Sequence, residues 1–389
     1  MSYLIPFKIN IPQSVIDQIL NRVRQAEIPG CLGDGSWDYG VSHSYMQAFI
    51  TYWIEAFDWC RAENMLNKYP QFIAEIDGYS IHFYHVRGSG ANSFPLLLTH
   101  GWPGSIFEFI HIIDQLTHPE WFGGNPEDDF DVIIPSLPGF GFSSKPKHKA
   151  IGLLGTAKLW EKLMTQVLNY QQFGAQGGDF GAEVSTWIAH LYPDKVVGLH
   201  LNMIPYRLVP DDEQSEIEKA WWKLAIEHRN TAMDYLRLQM RQPQTLSFAL
   251  MDNPVGVAAW ILEKFKYWSD SGKDLELTFT MEQLLTNIMI YLTTKTIDSS
   301  LWFYRGWLNE TGGASHPGEK ITVPTGVAAF PKEMISEAPP KCWIERDFNL
   351  IHYTQMPRGG HFACLEQPQL FVEDVQKFFR LIQHRRLAD

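Results

Sequence analysis

The chain has 389 residues, 45% of them hydrophobic and 20% charged, a composition typical of a globular enzyme with a large core. Its formal net charge is −12 and it has no long basic stretch, which argues against nucleic acid or an anionic membrane surface as a partner. The four cysteines form no CxxC pair and no apolar run reaches 18 residues. We therefore expect a cytoplasmic chain with free thiols, no cofactor, no metal and no membrane span.

The pattern along the chain predicts four parts. Residues 1–74 are polar and largely helical, and they predict an N-terminal arm, or meander, that packs on the rest of the chain. In residues 75–204, short buried strands alternate with helices, which is typical of a mostly parallel sheet. Residues 205–321 have helical stretches rich in Trp and Leu, and strands resume in residues 322–389. The prediction is an α/β fold with a helical lid over the carboxyl edge of the sheet, where ligands bind.

The pattern also predicts individual strands and helices. The expected strands are 81–86, 94–99, 131–135, 172–176, 196–202, 323–330 and 350–355. The expected helices are 182–192 and 370–384 in the core, and stretches around 213–241, 255–268 and 281–308 in the lid.

A candidate nucleophile lies between a predicted strand and a predicted helix, in the segment Gly177-Gly178-Asp179-Phe180-Gly181. A sharp turn with small neighbours at this place is typical of the nucleophile elbow of α/β-hydrolases, in which the central residue is usually Ser. Here the central residue is Asp179. The alternative is that Asp179 only caps the following helix, which is a common role for Asp.

Two further residues follow in the order that this fold uses, with the acid before the histidine. Glu333 comes after a predicted strand, and His361 lies between Gly360 and Phe362 just past the last strand. The competing acids are Glu337, Glu345 and Asp347, each further from the strand end, and the earlier strand ends at Asn202, which cannot balance an imidazolium charge. The sequence therefore predicts a triad of Asp179, Glu333 and His361.

An aspartate nucleophile changes the class of reaction. Attack by a carboxylate on a saturated carbon gives an alkyl ester, so the substrate must carry its own leaving group, either a strained ether oxygen or a halide. His361 would then activate a water that hydrolyses the ester, with Glu333 orienting the imidazole. The backbone N–H groups of Trp102 and Phe180 are the expected oxyanion donors, whereas His100 is expected to be a turn residue.

An epoxide oxygen leaves as an alkoxide, and a tyrosine hydroxyl is a suitable donor for it. The lid region has four tyrosines that could be this donor, and the sequence pattern does not show which of them is: Tyr235, Tyr267, Tyr291 and Tyr304.

Several motifs together resemble a known family, the epoxide hydrolases related to the microsomal enzyme and its soluble bacterial and fungal relatives. The resemblance covers nearly the whole chain and rests on PFKINIP (6–12), HGWPGS (100–105), GFGFSSKP (139–146), GGDFG (177–181) and RGGHFACLEQP (358–368). It implies an α/β-hydrolase fold, with Asp179 as nucleophile and His361 as general base. The FPKE segment at 330–333 resembles the family's acid segment and places the acid on Glu333, and the lid tyrosines of the family map to Tyr235 and Tyr304.

Two alternatives stay open at this point. A haloalkane dehalogenase shares the aspartate nucleophile and would use halide donors such as Trp102, and an inactive member of the same fold would bind a small lipid. A Ser-type esterase is disfavoured because no Ser occupies the elbow. The expected partner is a small apolar epoxide, and a homodimer is left open.

Overall fold

The computed structural model describes residues 4–207, 209–333 and 338–388. Within these ranges, a nine-stranded sheet with the order β1-β2-β3-β5-β4-β6-β7-β8-β9 forms the centre of the molecule. Its strands are β1 (Ile5–Phe7), β2 (Gln71–Ile76), β3 (Tyr79–Val86), β4 (Phe94–Thr99), β5 (Phe130–Pro135), β6 (Phe173–Gly177), β7 (Val196–Leu201), β8 (Ile321–Ala329) and β9 (Phe348–Gln355). Strands β4 to β9 run parallel. The prediction of an α/β fold with a mostly parallel sheet is thus confirmed.

The central strands are buried on both faces. All residues of β5 and β6 are buried, as expected for parallel strands that helices cover from both sides. Because parallel strands share one carboxyl edge, the loops after β4, β6 and β8 meet at the same end of the sheet. This shared edge brings together residues that lie far apart in the sequence.

The N-terminal arm contributes more than helices. The helices α1 (Gln13–Gln25), α2 (His43–Glu55) and α3 (Trp59–Leu66) confirm its helical character. Strands β1 and β2, however, extend the sheet as an antiparallel edge next to β3, which the sequence pattern did not indicate. Strand β2 runs across the predicted boundary between residues 74 and 75. The buried residues of β2 do not alternate regularly, and this explains why its sequence did not predict a strand.

Two groups of helices complete the fold. The helices beside the sheet are α4 (Ile113–Thr117), α5 (Leu153–Lys162), α6 (Phe180–Leu191), α13 (Lys341–Asp347), α14 (Ala363–Glu366) and α15 (Pro368–Ala388). The helices inserted between β7 and β8 form the lid and are α7 (Glu216–Ala232), α8 (Asp234–Arg241), α9 (Pro243–Leu250), α10 (Pro254–Trp268), α11 (Met281–Thr294) and α12 (Ile297–Thr311). The described residues between 205 and 320 contain no strand, in line with the predicted lid.

The lid is fastened to the loop that follows β4 and to the segment around residue 139. On α11, the Asn287 amide donates to the carbonyl oxygen of Pro103 at 2.8 Å, and the Tyr291 hydroxyl donates to that of Gly104 at 2.5 Å. On α12, the Ser299 hydroxyl donates to the carbonyl oxygen of Gly139 at 2.6 Å. These bonds are buried, so breaking them without a replacement would leave unpaired polar groups in the interior. The lid is therefore anchored over the edge at which the site lies.

Among the described helices, none is long and apolar enough by itself to cross a membrane. Helices α9 and α10 reach that length and composition only when taken together, and they are bent by 120° at the break between them.

Candidate active site

Asp179 stands at a strained turn between β6 and α6. Its backbone φ of 48° lies in the left-handed region, which non-glycine residues adopt only rarely and which is strained. A Cβ on Gly181 would lie 1.7 Å from the carbonyl oxygen of Thr99, so only glycine fits where the turn approaches β4. The Asp179 side chain makes no capping hydrogen bond to α6, although the residue precedes the helix. The alternative of a simple helix cap is therefore wrong.

His361 connects Asp179 with Glu333. The Nδ1–H of His361 donates to Glu333 Oε1 at 2.5 Å, and its Nε2 lies 3.4 Å from Asp179 Oδ2. The backbone N–H of His361 also donates to the carbonyl oxygen of Trp268 at the end of α10, at 2.8 Å. The lid thus helps to hold the histidine, and the structure brings the three predicted residues together.

The competing acids are engaged elsewhere or face solvent. Asp347 accepts a hydrogen bond from Arg207 at 2.5 Å, and Asn202 accepts one from the buried Gln176. Glu345 has an exposed side chain paired with Lys341 on the same helix. Glu337 lies outside the described residues. Of the competing acids that the structure describes, none contacts His361.

Two carboxylates determine the charge of His361. Burial alone lowers the pKa of an imidazole, but the carboxylates of Glu333 and Asp179 outweigh it and hold the pKa of His361 well above its ordinary value. His361 and the two acids therefore form a buried, coupled charge cluster in which a change at Asp179 changes the basicity of the histidine.

The loop after β4 supplies a backbone donor to Asp179. The N–H of Trp102 donates to Asp179 Oδ1 at 2.8 Å, as the predicted oxyanion role requires. The N–H of Phe180 begins helix α6, and its predicted part in the oxyanion site stays a prediction. His100 is a buried turn residue whose Nε2 accepts a hydrogen bond from the N–H of Leu137 at 3.2 Å, and burial lowers the pKa of His100 to about 4.

The structure separates the four candidate tyrosines. The Tyr267 hydroxyl donates to the carbonyl oxygen of Trp37 near the surface, and the Tyr291 hydroxyl is used in anchoring the lid to Gly104. Tyr235 and Tyr304, in contrast, line the same cavity as Asp179, with ring centroids 6.3 Å apart. The pair that the family resemblance implied thus lies in the cavity with Asp179, and its part in ring opening stays a prediction.

Both of these tyrosines remain protonated far into the alkaline range. Burial raises the pKa of Tyr235 well above its ordinary value, and the charge of Asp179 adds to this effect. Burial also raises the pKa of Tyr304 well above its ordinary value, with Tyr235 and Asp179 as further causes. Each hydroxyl is thus a hydrogen-bond donor at neutral pH rather than a phenolate.

The shared cavity has a volume of about 540 Å³, within the range of small-molecule sites. Its wall includes Phe180, Trp307 and the loop of residues 312–318. Glu183, one helical turn after Asp179, also lines it, and burial raises the pKa of Glu183 to about 8. Glu183 is not among the residues that the sequence predicted, although its spacing of four residues from Asp179 on a helix indicates a shared face.

A second, much smaller cavity lies beside His361. It is lined by Gly101, Trp102, Glu108, Phe109, Gly178, Asp179, Asn202, His361, Phe362, Ala363 and Cys364. A water-sized molecule has about 10 Å³ there in which to place its centre, which is about the room that one water needs. Burial raises the pKa of Glu108 to about 8, so this carboxyl is largely neutral at pH 7. Glu108 is also absent from the predicted site, although an acidic residue inside the apolar run IFEFI was a usable signal.

Two protein-family models match parts of this chain. Residues 4–109 match the family described as Epoxide hydrolase N terminus, and residues 94–224 match the alpha/beta hydrolase fold. "Epoxide hydrolase 1" of Oryctolagus cuniculus is 38% identical over 98% of this chain and 89% of its own length. The chain belongs to the epoxide hydrolase family. It is accordingly an epoxide hydrolase with an α/β-hydrolase fold.

Solved structures of this family superpose on nearly the whole chain. The juvenile hormone epoxide hydrolase of Bombyx mori has a TM-score of 0.88 at 28% identity, covering 100% of this chain and 96% of its own. The epoxide hydrolase of Aspergillus niger has a TM-score of 0.85 at 28% identity, covering 98% of this chain and 97% of its own. The arm, the sheet and the lid are thus shared features of the family's architecture.

Proposed function

We propose that this enzyme opens a small apolar epoxide by attack of Asp179, and that water activated by His361 then hydrolyses the resulting ester. The observation that supports this most directly is the arrangement around one carboxylate. Trp102 N–H binds Asp179 Oδ1, His361 Nε2 faces Oδ2, and two tyrosines line the cavity on the substrate side.

In the first step, Asp179 Oδ2 donates an electron pair to a carbon of the epoxide ring. The ring C–O bond breaks, its electron pair moves to the oxygen, and a tyrosine hydroxyl, Tyr235 or Tyr304, donates a proton to that oxygen. Oδ1 becomes the carbonyl oxygen of the ester because it is the oxygen already bound to the N–H of Trp102. The product of this step is a hydroxyalkyl ester of Asp179.

Formation of the ester should lower the pKa of His361. The negative charge of Asp179 disappears, and with it one of the two charges that raise the pKa of the imidazole. The pKa of His361 must therefore fall as the ester forms, which releases the imidazole to act as a base. Glu333 remains and stabilises the imidazolium that forms when water is deprotonated.

In the second step, water attacks the carbonyl carbon of the ester while His361 Nε2 takes its proton. The negative charge that develops on Oδ1 is stabilised by Trp102 N–H and by the predicted Phe180 N–H. The bond to the alkyl oxygen then breaks, and the proton on His361 passes to that oxygen of the leaving diol. The second proton of the water, left on Asp179, returns to the tyrosinate formed in the first step, which restores the carboxylate and the tyrosine hydroxyl. The one-water cavity between His361, Glu108 and Asp179 supports a defined position for the attacking water.

The dehalogenase alternative has one observation in its favour, because the buried Nε1–H of Trp102 has no hydrogen-bond partner among the described residues. Two tyrosine donors in the cavity fit an alkoxide leaving group better than a halide, which needs no proton. The complete triad also argues against an inactive lipid binder. A chloroalkane therefore serves as the control substrate, and we expect no chloride release.

The decisive experiment is a single turnover of styrene oxide in heavy-oxygen water with enzyme in excess. We expect the first diol to contain ordinary oxygen from Asp179 and the heavy label to appear in the Asp179 carboxylate, detected by peptide mass. The Asp179→Asn variant should form neither ester nor diol. A heavy-labelled diol in the first turnover would mean that water attacks the epoxide directly and that the proposed mechanism is wrong.

A further inference from the structure

The proposed mechanism leaves one buried cation unused. Lys264, on α10, is only 5% exposed, and its ammonium lies among three aromatic rings of the lid. The distances from Nζ to the ring centroids are 4.7 Å for Tyr235, 5.0 Å for Trp260 and 5.9 Å for Trp268. All three are within the range of cation–π attraction. The shortest of them joins the ammonium to a tyrosine of the catalytic cavity.

The ammonium is held in place by several contacts. Its charge is paired with the carboxylate of the neighbouring Glu263, and both residues line a cleft on the outer side of Tyr235. Tyr235 lines this cleft as well as the 540 Å³ cavity, so this residue borders both spaces. Trp102 is stacked nearly parallel to the same ring, at 5.6 Å and 13°. The Tyr235 ring is therefore fixed between the site of ring opening and a buried cation.

Tyr235 needs such a partner because its surroundings make it a weak acid. Burial and the charge of Asp179 raise the pKa of Tyr235 and outweigh a hydrogen bond with Tyr304 that lowers it, so the net effect opposes transfer of its proton to the epoxide oxygen. A cation over the face of the ring acts in the opposite direction. As the proton leaves, negative charge spreads from the phenol oxygen into the ring, and the attraction between ring and ammonium increases. The contact is thus stronger in the transition state than in the ground state, as catalysis requires.

We propose that Lys264 is a positioning residue that activates Tyr235 from the face of its ring and makes it the stronger proton donor of the tyrosine pair. Among the described residues, no cation makes a comparable contact with the ring of Tyr304. This inference rests on the proposed function, since it assigns the two tyrosines unequal parts in the same ring-opening step.

The test is a double-mutant cycle that measures ester formation and ester hydrolysis separately, by rapid quench of a single turnover of styrene oxide. Lys264→Met should slow ester formation about tenfold when Tyr235 is present and less than twofold in the Tyr235→Phe background. Ester hydrolysis should be unchanged in each case. In the Tyr304→Phe background, where Tyr235 is the remaining donor, the effect of Lys264→Met should be at least as large as in the wild type.

Two further variants separate activation from simple packing. Lys264→Arg keeps a cation beside the rings and should retain most of the rate of ester formation. Lys266→Met is the matched control on the same helix, because Lys266 lies 5.8 Å from the Trp37 ring near the surface, and it should behave as wild type. If Lys264→Met fails to fold, Lys264→Gln replaces it in the cycle as a neutral, polar residue of similar length.

Equal slowing by Lys264→Met in the wild-type and Tyr235→Phe backgrounds would overturn the inference, because it would mean a general structural role. An unchanged rate of ester formation would overturn it as well. Failure of the wild-type enzyme to form any ester on Asp179 would instead refute the proposed function. The two failures are therefore distinguishable in the same experiment.

Discussion

The two sides of Asp179 differ in size, in polarity and in the parts of the chain that build them. On the lid side, a cavity of about 540 Å³ is walled by aromatic rings from α8 and α12, with Tyr235 and Tyr304 facing it. On the core side, a space for about one water lies between Glu108, Asn202 and His361, which come from a short helical turn, the end of β7 and the loop after β9. The Asp179 carboxylate thus faces two spaces, one suited to an organic substrate and one suited to a water molecule.

This difference suggests that the two half-reactions are divided in space. Ring opening would depend on groups of the lid, and ester hydrolysis on groups of the core, with Asp179 common to both. A substitution on the lid side should therefore slow ester formation and leave ester hydrolysis unchanged, and a substitution on the core side should do the reverse. Measurement of the two single-turnover rates in each variant tests this division directly.

The largest effect is expected at His361 on the core side. His361→Gln removes the base, so ester hydrolysis should slow by about 10³-fold to 10⁴-fold while the ester still forms. The measurement is the mass of the peptide that contains Asp179, which should increase by the mass of the epoxide and stay increased. Normal turnover by this variant would show that His361 is not the base.

The second largest effect is expected from the tyrosine pair on the lid side. Tyr235→Phe should slow ester formation by about thirtyfold and Tyr304→Phe by less, and the double variant by about a hundredfold or more, since either hydroxyl alone can still donate to the oxygen. Ester hydrolysis should change little. Tyr291→Phe is the matched control, because its hydroxyl bonds Gly104 and lies outside the cavity lining. An effect of the double variant confined to ester hydrolysis would contradict the division.

A smaller effect on rate, but a shift with pH, is expected at Glu333. Because Glu333 raises the pKa of His361, Glu333→Gln should lower that pKa. Ester hydrolysis needs the neutral imidazole and so increases with pH through this pKa. Its acid limb should therefore move to lower pH in the variant, while the plateau falls by up to about a hundredfold because the imidazolium is less stabilised. The measurement is the pH profile of single-turnover ester hydrolysis. A shift to higher pH would mean that Glu333 does not set the charge of His361.

The parts of the site that the sequence predicts best are those that depend on local order. Asp179 lies in a turn between one strand and one helix, and Glu333 and His361 each follow a strand, so the shared carboxyl edge of parallel strands brings them together. The tyrosines do not follow this logic. Four lid tyrosines are equivalent by pattern, and only the packing of α8 and α12 around Trp102 places two of them over Asp179. The family resemblance, rather than periodicity, singled out this pair.

The features that the sequence did not predict depend on tertiary contacts. Strand β2 is recognisable as a strand by its pairing with β1 and β3 rather than by alternation of its own residues. Glu108 lies in a short helical turn and reaches the site only because that turn folds back beside His361. A carboxyl in an apolar run costs free energy when buried, so its presence was a sign of function whose location the sequence could not supply.

The smallest effect is expected at Glu108, and it tests whether this carboxyl positions the attacking water on the core side. If its carboxyl holds the attacking water by one hydrogen bond, Glu108→Leu should slow ester hydrolysis by about tenfold and leave ester formation unchanged. Glu108→Gln keeps a carbonyl acceptor of the same shape and should stay within about threefold of wild type, because the neutral carboxyl that it replaces is the main form at pH 7. Thermal unfolding of both variants is the control, because the Glu108 carboxyl accepts hydrogen bonds from the backbone N–H groups of Gly101 and Ser105, and Leu, which leaves these groups unpaired, should lower stability more than Gln. Equal rates of ester hydrolysis in the Leu and Gln variants would mean that the water is positioned without Glu108, by other polar groups that line the cavity, such as Asp179, Asn202 and His361.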